Sequence, residues 1–354
     1  LLGPFSGTAL ADPGFTVAES SGSTSVSESG STDTFTVVLD EQPDEQGVFF
    51  SVTSGDTDEV TVSTTTLEFT SSNWNTAQTV TVTGVNDDLI DGSQTTTITI
   101  SVVDAISDDD FDSLVDKTVS VTTTDNDTAS FTVTQSGGST AVSESGSTDT
   151  FTVVLGAQPA SDVVISVSSG DTGEATISPS QLTFTSGNWN SAQTVTVTGI
   201  NDDLVDGTQT STITMSVVDG SSDDSFDSLN DQTVSVTTAD TDVAGFTIIE
   251  SGGSTTVAES GTTDTFTVVL DAQPSSDVVI SATSGDTGEA SVSPSQLTFT
   301  SGNWDSAQTV TVTGVDDSLI DGSQDTTITM SVVDGSSDDS FDSLNDQTVT
   351  VSTA

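Results

Sequence analysis

The sequence contains no cysteine, no histidine and only one basic residue, Lys117, among its 354 residues. Without cysteine no disulfide can hold the fold together, and without cysteine or histidine there is no ordinary zinc or copper site and no histidine general base. The formal net charge of -54 excludes a nucleic-acid groove, which requires clustered Lys and Arg, and disfavours docking on anionic lipid. No run of about 18 apolar residues occurs, so no transmembrane helix is predicted. These absences predict a protein that is not an enzyme.

The 55 Asp and Glu residues are the most informative feature that is present. One interpretation is a solvated surface adapted to salty water, on which carboxylates keep the protein dissolved. The other is a set of cation sites, because Ca²⁺ is a hard ion that takes about 6–8 oxygen ligands. The positions of the acids along the chain decide between these interpretations.

Three tryptophans mark an internal repeat. Trp74, Trp189 and Trp304 are spaced by 115 residues and lie in the same sequence context each time. Residues 214–234 read TMSVVDGSSDDSFDSLNDQTV, and residues 329–349 repeat them letter for letter. A unit of this length has the size of a domain rather than of a solenoid turn. The sequence therefore predicts an apolar N-terminal segment at residues 1–11 and three domains at residues 12–127, 128–242 and 243–354.

The N-terminal segment has three interpretations. It ends in Ala9-Leu10-Ala11, which has the small-residue pattern of a signal-peptide cleavage site. Alternatively it is a mature N-terminal extension or the end of a preceding domain.

Within each unit the apolar residues alternate with a period of two. Residues 150–155 (TFTVVL) place Phe151, Val153 and Leu155 on one face and the two threonines on the other. Such alternation, with β-branched residues and turns rich in Gly, Asp, Asn and Ser, is typical of half-buried strands. We count seven strands per repeat, A to G in chain order. The expected fold is all-β, with three tandem immunoglobulin-like antiparallel β-sandwich domains in an elongated array.

The acids are concentrated at one end of this predicted sandwich. In an up-and-down arrangement the A–B, C–D and E–F connections and the exit after strand G share one end, called here the acid pole. Acids fall in each of these connections, including Glu59, Glu174 and Glu289 in the C–D connections, whereas the strand exteriors are mostly Thr and Ser. A salt-adapted surface would scatter its acids, so this convergence favours calcium. The predicted ligands are Glu28, Asp56, Asp87, Asp88, Asp91, Asp125 and Asp127 in repeat 1, Glu144, Asp171, Asp202, Asp203, Asp206, Asp240 and Asp242 in repeat 2, and Glu259, Asp286, Asp316, Asp317 and Asp321 in repeat 3.

A second acidic cluster lies in the F–G connection, at the opposite pole, where it would face the acid pole of the preceding repeat. It either completes a cation site at the junction or is a solvated turn. Its members are Asp109, Asp110, Asp112 and Asp116 in repeat 1, Asp223, Asp224, Asp227 and Asp231 in repeat 2, and Asp338, Asp339, Asp342 and Asp346 in repeat 3.

Four short motifs give each unit a resemblance to a known family. They are V-x-E-S-G before strand B, LTFTSGNW before strand E, VTGINDDLVDG after strand E and TDND at residues 124–127. With these motifs, nearly all of residues 12–354 resembles tandem Calx-beta domains, the immunoglobulin-like modules of sodium–calcium exchangers and of large repetitive bacterial surface proteins. The resemblance implies calcium at the pole formed by the Glu before strand B, the E–F acids and the exit acids. Two residues depart from the pattern: Thr241, in the middle of the exit triplet at residues 240–242, and Ser318, directly after Asp317. The number of calcium ligands is therefore expected to vary among the repeats. The implied ligands in repeat 2 are Glu144, Asp202, Asp203, Asp240 and Asp242.

These patterns favour a structural protein outside the cell. The expected role is a calcium-stiffened stalk or fibre segment of a cell-surface adhesin or filament, because near-identical repeats add length rather than new chemistry. The expected partners are further copies of the repeat or neighbouring subunits, with a cell-surface or glycan target at a distal domain. The alternatives are a subunit of a polymeric filament or surface layer, a carbohydrate-binding module, a calcium-sensing regulatory domain and a glycosidase with paired carboxylates. A carbohydrate module needs aromatic platforms, but tyrosine is absent and each lone Trp is expected to plug the sandwich end.

Overall fold

The computed structural model describes residues 12–316 and 322–354, so the predicted N-terminal segment 1–11 lies outside the described residues. The alternating segments form six sheets, which pair into three immunoglobulin-like β-sandwiches. Each sandwich combines a four-stranded and a five-stranded sheet, and it therefore has nine strands rather than the predicted seven. The prediction was wrong because strands A and D are each divided between the two sheets.

The bounds of the strands follow the repeat closely. Repeat 1 contains β1 (Phe15–Glu19), β2 (Thr24–Ser27), β3 (Thr32–Leu39), β4 (Val48–Ser54), β5 (Val60–Val62), β6 (Thr66–Phe69), β7 (Gln78–Gly84), β8 (Gln94–Val102) and β9 (Lys117–Thr124). Repeat 2 contains β10 (Phe131–Gln135), β11 (Thr140–Ser143), β12 (Thr148–Leu155), β13 (Val163–Ser169), β14 (Ala175–Ser178), β15 (Gln181–Phe184), β16 (Gln193–Gly199), β17 (Gln209–Val217) and β18 (Gln232–Ala239). Repeat 3 contains β19 (Phe246–Glu250), β20 (Thr255–Val257), β21 (Thr263–Leu270), β22 (Val278–Ser284), β23 (Ala290–Ser293), β24 (Gln296–Phe299), β25 (Gln308–Gly314), β26 (Gln324–Val332) and β27 (Gln347–Thr353).

Short 3-10 turns lie between β1 and β2, between β8 and β9, and at the equivalent places in the other repeats. They are Ser20–Gly22, Asp104–Ile106 and Asp109–Phe111 in repeat 1, Ser136–Gly138 and Asp219–Ser221 in repeat 2, and Ser251–Gly253 and Asp334–Ser336 in repeat 3. Positive φ angles at Ser21 (56°) and Gly22 (83°) turn the chain out of the first sheet, since an extended strand cannot continue through this backbone region.

The two sheets of each repeat have the same strand order. In repeat 1 the four-stranded sheet is β1-β3-β7-β5 and the five-stranded sheet is β2-β9-β8-β4-β6. We use A for β1, A′ for β2, B for β3, C for β4, the two parts of D for β5 and β6, and E, F and G for β7, β8 and β9. Neighbours pair antiparallel except A′ and G, which are parallel in all three repeats. The predicted antiparallel sandwich is confirmed, with one parallel pair of strands at the edge of each five-stranded sheet.

Phenylalanine and aliphatic side chains from both sheets fill each core. In repeat 1, Phe35, Phe50 and Phe69 are fully buried, and the rings of Phe50 and Phe69 meet edge to face with centroids 5.9 Å apart. As expected, each Trp packs against the core of its own repeat. The Trp74 carbonyl accepts a hydrogen bond from the Leu39 N–H. Burial of these inward faces is the main force that holds the two sheets together.

Lys117, the single basic residue, has a structural role far from the acid pole. Its ammonium group donates a hydrogen bond to the Phe15 carbonyl and lies 4.9 Å from the centre of the Phe15 ring. Gln232 and Gln347 donate to the corresponding carbonyls of Phe131 and Phe246 in the other repeats. In the part of the chain that the structure describes, no helix is long and apolar enough to cross a membrane.

Candidate metal centre

The acid pole of repeat 1 brings carboxylates from four connections together. Glu28, Glu59 and Asp91 form one group, and Glu28, Asp125 and Asp127 form another; within each group the nearest carboxylate oxygens lie within 4.8 Å of one another. Glu28 belongs to both groups, so its carboxylate joins them. An open cavity of about 430 Å³ adjoins Glu59 and Asp91 and gives solvent access to the pole.

Repeat 2 builds a closely related arrangement, in which an E–F aspartate takes the place of one exit aspartate in one of the groups. Glu144 again belongs to two groups within the same 4.8 Å limit. The first group adds Asp202 and Asp242, and the second adds Glu174 and Asp206. The described acid poles of repeats 1 and 2 therefore each offer two adjacent clusters of oxygen donors.

The shared glutamate is positioned by the end of strand A′. The backbone N–H of Glu144 continues the parallel ladder by donating to the Ala239 carbonyl at 3.1 Å. Strand E must pass very close to A′ here, and Gly199 makes this possible. A Cβ atom on Gly199 would lie 2.1 Å from the Ser143 carbonyl oxygen, which leaves no room for any other residue. Gly84 and Gly314 occupy the same position in repeats 1 and 3.

The exit acids tie the E–F loop to the end of strand G. In repeat 1, Asp125 Oδ2 accepts a hydrogen bond from the Gly92 N–H at 2.9 Å. In repeat 2, Asp240 Oδ2 accepts from the N–H groups of Asp206 and Gly207 at 3.0 and 2.7 Å. Asp240 therefore holds the loop that carries two of the clustered carboxylates.

Several carboxylate oxygens at this pole are buried without a hydrogen-bond partner among the described residues. Leaving an anionic oxygen buried and unpaired is costly, so such atoms call for a cation or a proton. The glutamates are the most deeply buried, with Glu28 1% exposed and Glu174 8% exposed. The unpartnered atoms are Glu59 Oε2, Asp91 Oδ1 and Asp127 Oδ2 in repeat 1, and Glu174 Oε2, Asp206 Oδ1 and Asp242 Oδ2 in repeat 2.

Burial and mutual repulsion raise the pKa of the clustered acids. Burial, followed by the charges of Asp125 and Asp87, raises the pKa of Glu28 to about 7, against the opposing hydrogen bond from the Asn126 N–H. Burial and the charge of Asp206 raise the pKa of Glu174 to about 7. The pKa values of other members of the groups are raised mainly by burial as well, namely those of Glu59, Asp91, Asp127, Glu144 and Asp242.

Some predicted ligands lie at the pole but outside these groups. Asp56 and Asp171 are exposed, and their side chains accept hydrogen bonds from the N–H groups of Asp58 and Gly173 within their own turns. Asp88 and Asp203 have exposed side chains, and their carbonyl groups bind the next repeat. The predicted Asp87 shapes its loop, because its Oδ1 accepts from the Leu89 N–H at 2.8 Å.

In repeat 3 the description of the pole is partial. Glu259 is half-buried, whereas Asp286 and Asp316 are exposed. The predicted ligands Asp317 and Asp321 lie outside the described residues.

Two clustered residues, Glu59 and Glu174, were not among the predicted ligands. The C–D aspartates Asp56 and Asp171 were chosen instead. The overlooked signal is position, because each glutamate directly precedes the first residue of strand D and is held at the sheet edge. Glu289 is the equivalent residue in repeat 3, where it is 7% exposed.

The F–G cluster at the opposite pole contains one buried aspartate per repeat. Asp223 accepts hydrogen bonds from the N–H groups of Ser161 and Ser225 at 2.8 and 3.0 Å. Asp338 does the same in repeat 3, and in repeat 1 the equivalent residue is Asp108, which is not among the predicted members of this cluster. These residues fasten the F–G loop to the B–C loop within one repeat.

The donor set at the acid pole fits a hard divalent cation. All the clustered donors are carboxylate oxygens, the ligands that Ca²⁺ prefers. The buried oxygens without partners are the atoms that an ion would contact. One glutamate shared by two groups is suited to bridging two neighbouring ions.

Comparisons with known proteins give no family assignment. No family model matches the chain, and neither does any curated protein. Among solved structures, domains 4–9 of the surface layer protein SbsC are 17% identical to this chain, with a TM-score of 0.27. The match covers 97% of this chain and 48% of the SbsC fragment, so the chain spans about half of the length of that fragment. A three-domain titin fragment is 9% identical over 98% of this chain and 99% of its own, with a TM-score of 0.27. CBD12 from CALX1.2 is 12% identical over 56% of this chain and 79% of its own, with a TM-score of 0.23. Similarities this low carry no argument about function.

Proposed function

We propose that this chain is a calcium-binding structural protein outside the cell, a stiff segment of the stalk or fibre of a cell-surface adhesin or filament. Each acid pole binds calcium, and the bound ions hold the E–F loop, the exit after strand G and the end of strand A′ in one arrangement. The chain performs no chemistry of its own, and its partners are further copies of the repeat or neighbouring subunits.

The observation that carries the calcium proposal is the set of buried, unpartnered carboxylate oxygens. Glu174 and Asp206, each with one unpartnered oxygen, belong to one group, and Asp242, also with one unpartnered oxygen, belongs to the neighbouring group that shares Glu144. Without a cation these groups repel one another and must bind protons to remain buried. A divalent ion removes both costs, so folding and ion binding favour each other.

Calcium is favoured over magnesium by the number of clustered oxygen donors. Ca²⁺ accepts about 6–8 oxygens at variable angles, whereas Mg²⁺ demands a near-ideal octahedron and keeps several of its waters. The pole of repeat 1 clusters five carboxylates in two groups that share Glu28, and it can therefore supply the larger number of oxygen ligands that Ca²⁺ takes. The resemblance of the sequence motifs to those of Calx-beta domains also implies calcium.

The structural role rests on the repeats and their linkers. Sandwiches with the same strand order follow one another, and the linker after β9 is only a few residues long. Asp125 and Asp127 in that linker are themselves members of the candidate site. An ion bound there would stiffen the connection between two repeats, which is what an extended stalk requires.

Titration of the chelator-treated full chain tests the proposal. We expect calorimetry to show Ca²⁺ binding, and thermal unfolding to show a larger rise in Tm with Ca²⁺ than with Mg²⁺ at equal ionic strength. A ligand at about 100 times its Kd contributes about 2.7 kcal/mol per site. Small-angle scattering should show a narrower range of maximum dimension with Ca²⁺. An equal rise in Tm with the two ions would mean that cations only screen the acidic charges and that no specific calcium site exists. A compact particle in Ca²⁺ would contradict the stalk.

A further inference from the structure

The E–F loop makes a second set of contacts that involves no carboxylate. The Gln158 N–H in the B–C loop of repeat 2 donates to the Asp88 carbonyl of repeat 1 at 2.7 Å. The Ile90 N–H then donates back to the Gln158 carbonyl at 3.0 Å. Leu89 and Gln158 thus form a parallel β-bridge across the junction between two repeats.

The second junction repeats this contact. Gln273 N–H donates to the Asp203 carbonyl at 2.8 Å, and Val205 N–H donates to the Gln273 carbonyl at 3.0 Å. Leu204 and Gln273 form the corresponding parallel bridge. Asp203 has a φ of 85°, a left-handed conformation that costs free energy in a residue other than glycine, and its carbonyl is one of the groups that bind repeat 3.

The residue that follows each bridge packs against the core of the next repeat. Ile90 of repeat 1 packs against the hydrophobic core of repeat 2, and Val205 of repeat 2 packs against that of repeat 3. Each loop therefore supplies one apolar side chain that its own sandwich does not use.

The receiving surface is a Gln-Pro corner in the B–C loop. Gln158 and Gln273 are half-buried beneath the preceding loop, whereas Gln42 at the same corner of repeat 1 is exposed. The corner is held from within its own repeat, because Ser161, three residues after Gln158, donates its N–H to the buried Asp223. The E–F loop of the preceding repeat therefore docks onto a corner that is already held in place by its own repeat.

We propose that the E–F loop is a docking element for the Gln-Pro corner of the next repeat, and that it makes the stability of each repeat depend on the loop of the repeat before it. This coupling goes beyond calcium binding, since the backbone bridge and the apolar side chain need no ion. Short linkers keep loop and corner at high effective concentration, so a small contact is sufficient to hold them together. The unfolding of one repeat is then coupled to that of its neighbour, because the free energy of each interface adds to the stability of the repeats that form it.

Hydrogen exchange of the full chain tests this coupling, because it reports each repeat separately. Strands β4, β13 and β22 differ in sequence, so their peptides are distinguishable by mass. With Ile90→Ser, a change located in repeat 1, we expect exchange in β13 of repeat 2 to rise at least about tenfold while β4 of repeat 1 is unchanged. Val205→Ser should act in the same way on β22 of repeat 3.

Two matched variants complete the experiment. Ile90→Val installs the apolar residue of the second junction and should keep β13 protected. Val115→Asn changes a residue that is 83% exposed into the one that repeats 2 and 3 carry there, and it should alter neither strand. Unchanged exchange of β13 in Ile90→Ser, or a rise in β4 that equals the rise in β13, would overturn the proposal.

The same measurements in chelator and in Ca²⁺ separate this inference from the proposed function. We expect the loss of protection in β13 under both conditions, and an unchanged number of calcium ions bound by Ile90→Ser. If β13 lost protection only in the presence of Ca²⁺, the coupling would depend on the ion, and the proposed docking element would be wrong. Failure of calcium binding in the unmodified chain would leave the docking result intact.

Discussion

Glu144 Oε2 accepts a hydrogen bond from the backbone N–H of Thr241 at 3.0 Å, which joins the A–B loop to the exit after strand G across 97 residues of chain. In repeat 1, Glu28 makes the corresponding bond with Asn126 at 3.3 Å. The side chain at the middle of the exit triplet is therefore free to vary, because the backbone makes the contact. Thr241, which looked like a departure from the expected pattern, keeps the shared glutamate in place, and Asp242 remains in the group.

The choice of ligands in the C–D connection can be tested in repeat 2. We expect Glu174→Gln to weaken calcium binding by about tenfold or more, because it removes a buried charge from one group. Asp171→Asn is the matched control: Asp171 is exposed, outside the groups, and hydrogen-bonded within its own turn. Isothermal titration of the full chain measures both, and an equal effect of the two substitutions would contradict the assignment.

The calcium-free chain should lose stability as pH rises. Glu28 and Glu174 have folded-state pKa values of about 7, above the ordinary value of 4.5, because burial penalises their charged forms. The folded chain therefore binds more protons than the unfolded chain between pH 4.5 and about 7, so its free energy of unfolding falls across that window. Calcium affinity should rise over the same window, because protons and calcium compete for the carboxylates.

Chemical denaturation in chelator at about pH 5 and about pH 8 measures this dependence. The Glu28→Gln, Glu174→Gln double variant should be more stable than the unmodified chain at the higher pH and should show a flatter profile. A calcium-free chain that becomes more stable between these two pH values would refute the assignment.

Asp338 at the opposite pole should have the reverse dependence on pH. Burial would raise its pKa, but hydrogen bonds from the Ser275 hydroxyl and from the Ser276 and Ser340 N–H groups lower it to about 2. Its contribution to stability is therefore present above its ordinary value of 3.8 and is lost as pH falls towards 2.

Asp338→Asn should cost roughly 1–3 kcal/mol and leave the number of bound calcium ions unchanged, since this residue fastens two loops within repeat 3 and belongs to none of the clustered carboxylate groups. The adjacent Asp339 is exposed, so Asp339→Asn serves as control and should be nearly neutral. Loss of calcium binding in Asp338→Asn would show that the two poles are not independent.

The close approach of strands A′ and E should tolerate no side chain. Gly199→Ala places a Cβ 2.1 Å from the Ser143 carbonyl oxygen, so we expect a cost of roughly 1–3 kcal/mol and weaker calcium binding at Glu144. Gly220→Ala introduces a Cβ with no neighbour within 4 Å and is the control. Thermal unfolding and titration report the two effects, and a neutral Gly199→Ala would contradict the role given to this glycine.

Much of the fold could be predicted because its determinants are local. The period-two alternation in residues 150–155 identifies a strand from neighbouring residues alone, and the spacing of Trp74, Trp189 and Trp304 reveals the repeat without any structure. The convergence of acids was also predictable, since connections on alternate sides of successive antiparallel strands fall at the same end.

The tertiary structure decided what depends on contacts between distant residues. Strand A leaves one sheet for the other where Ser21 and Gly22 adopt positive φ, and it then pairs with a strand about 100 residues away. The sequence identified the end of the sandwich that carries the acids, but not that Glu174 rather than Asp171 joins the groups. Both residues lie in one short loop, and only the paired sheets determine which side chain points into the pole. The bridge between Leu89 and Gln158 has no sequence signature either, because it is made by backbone groups that every loop possesses.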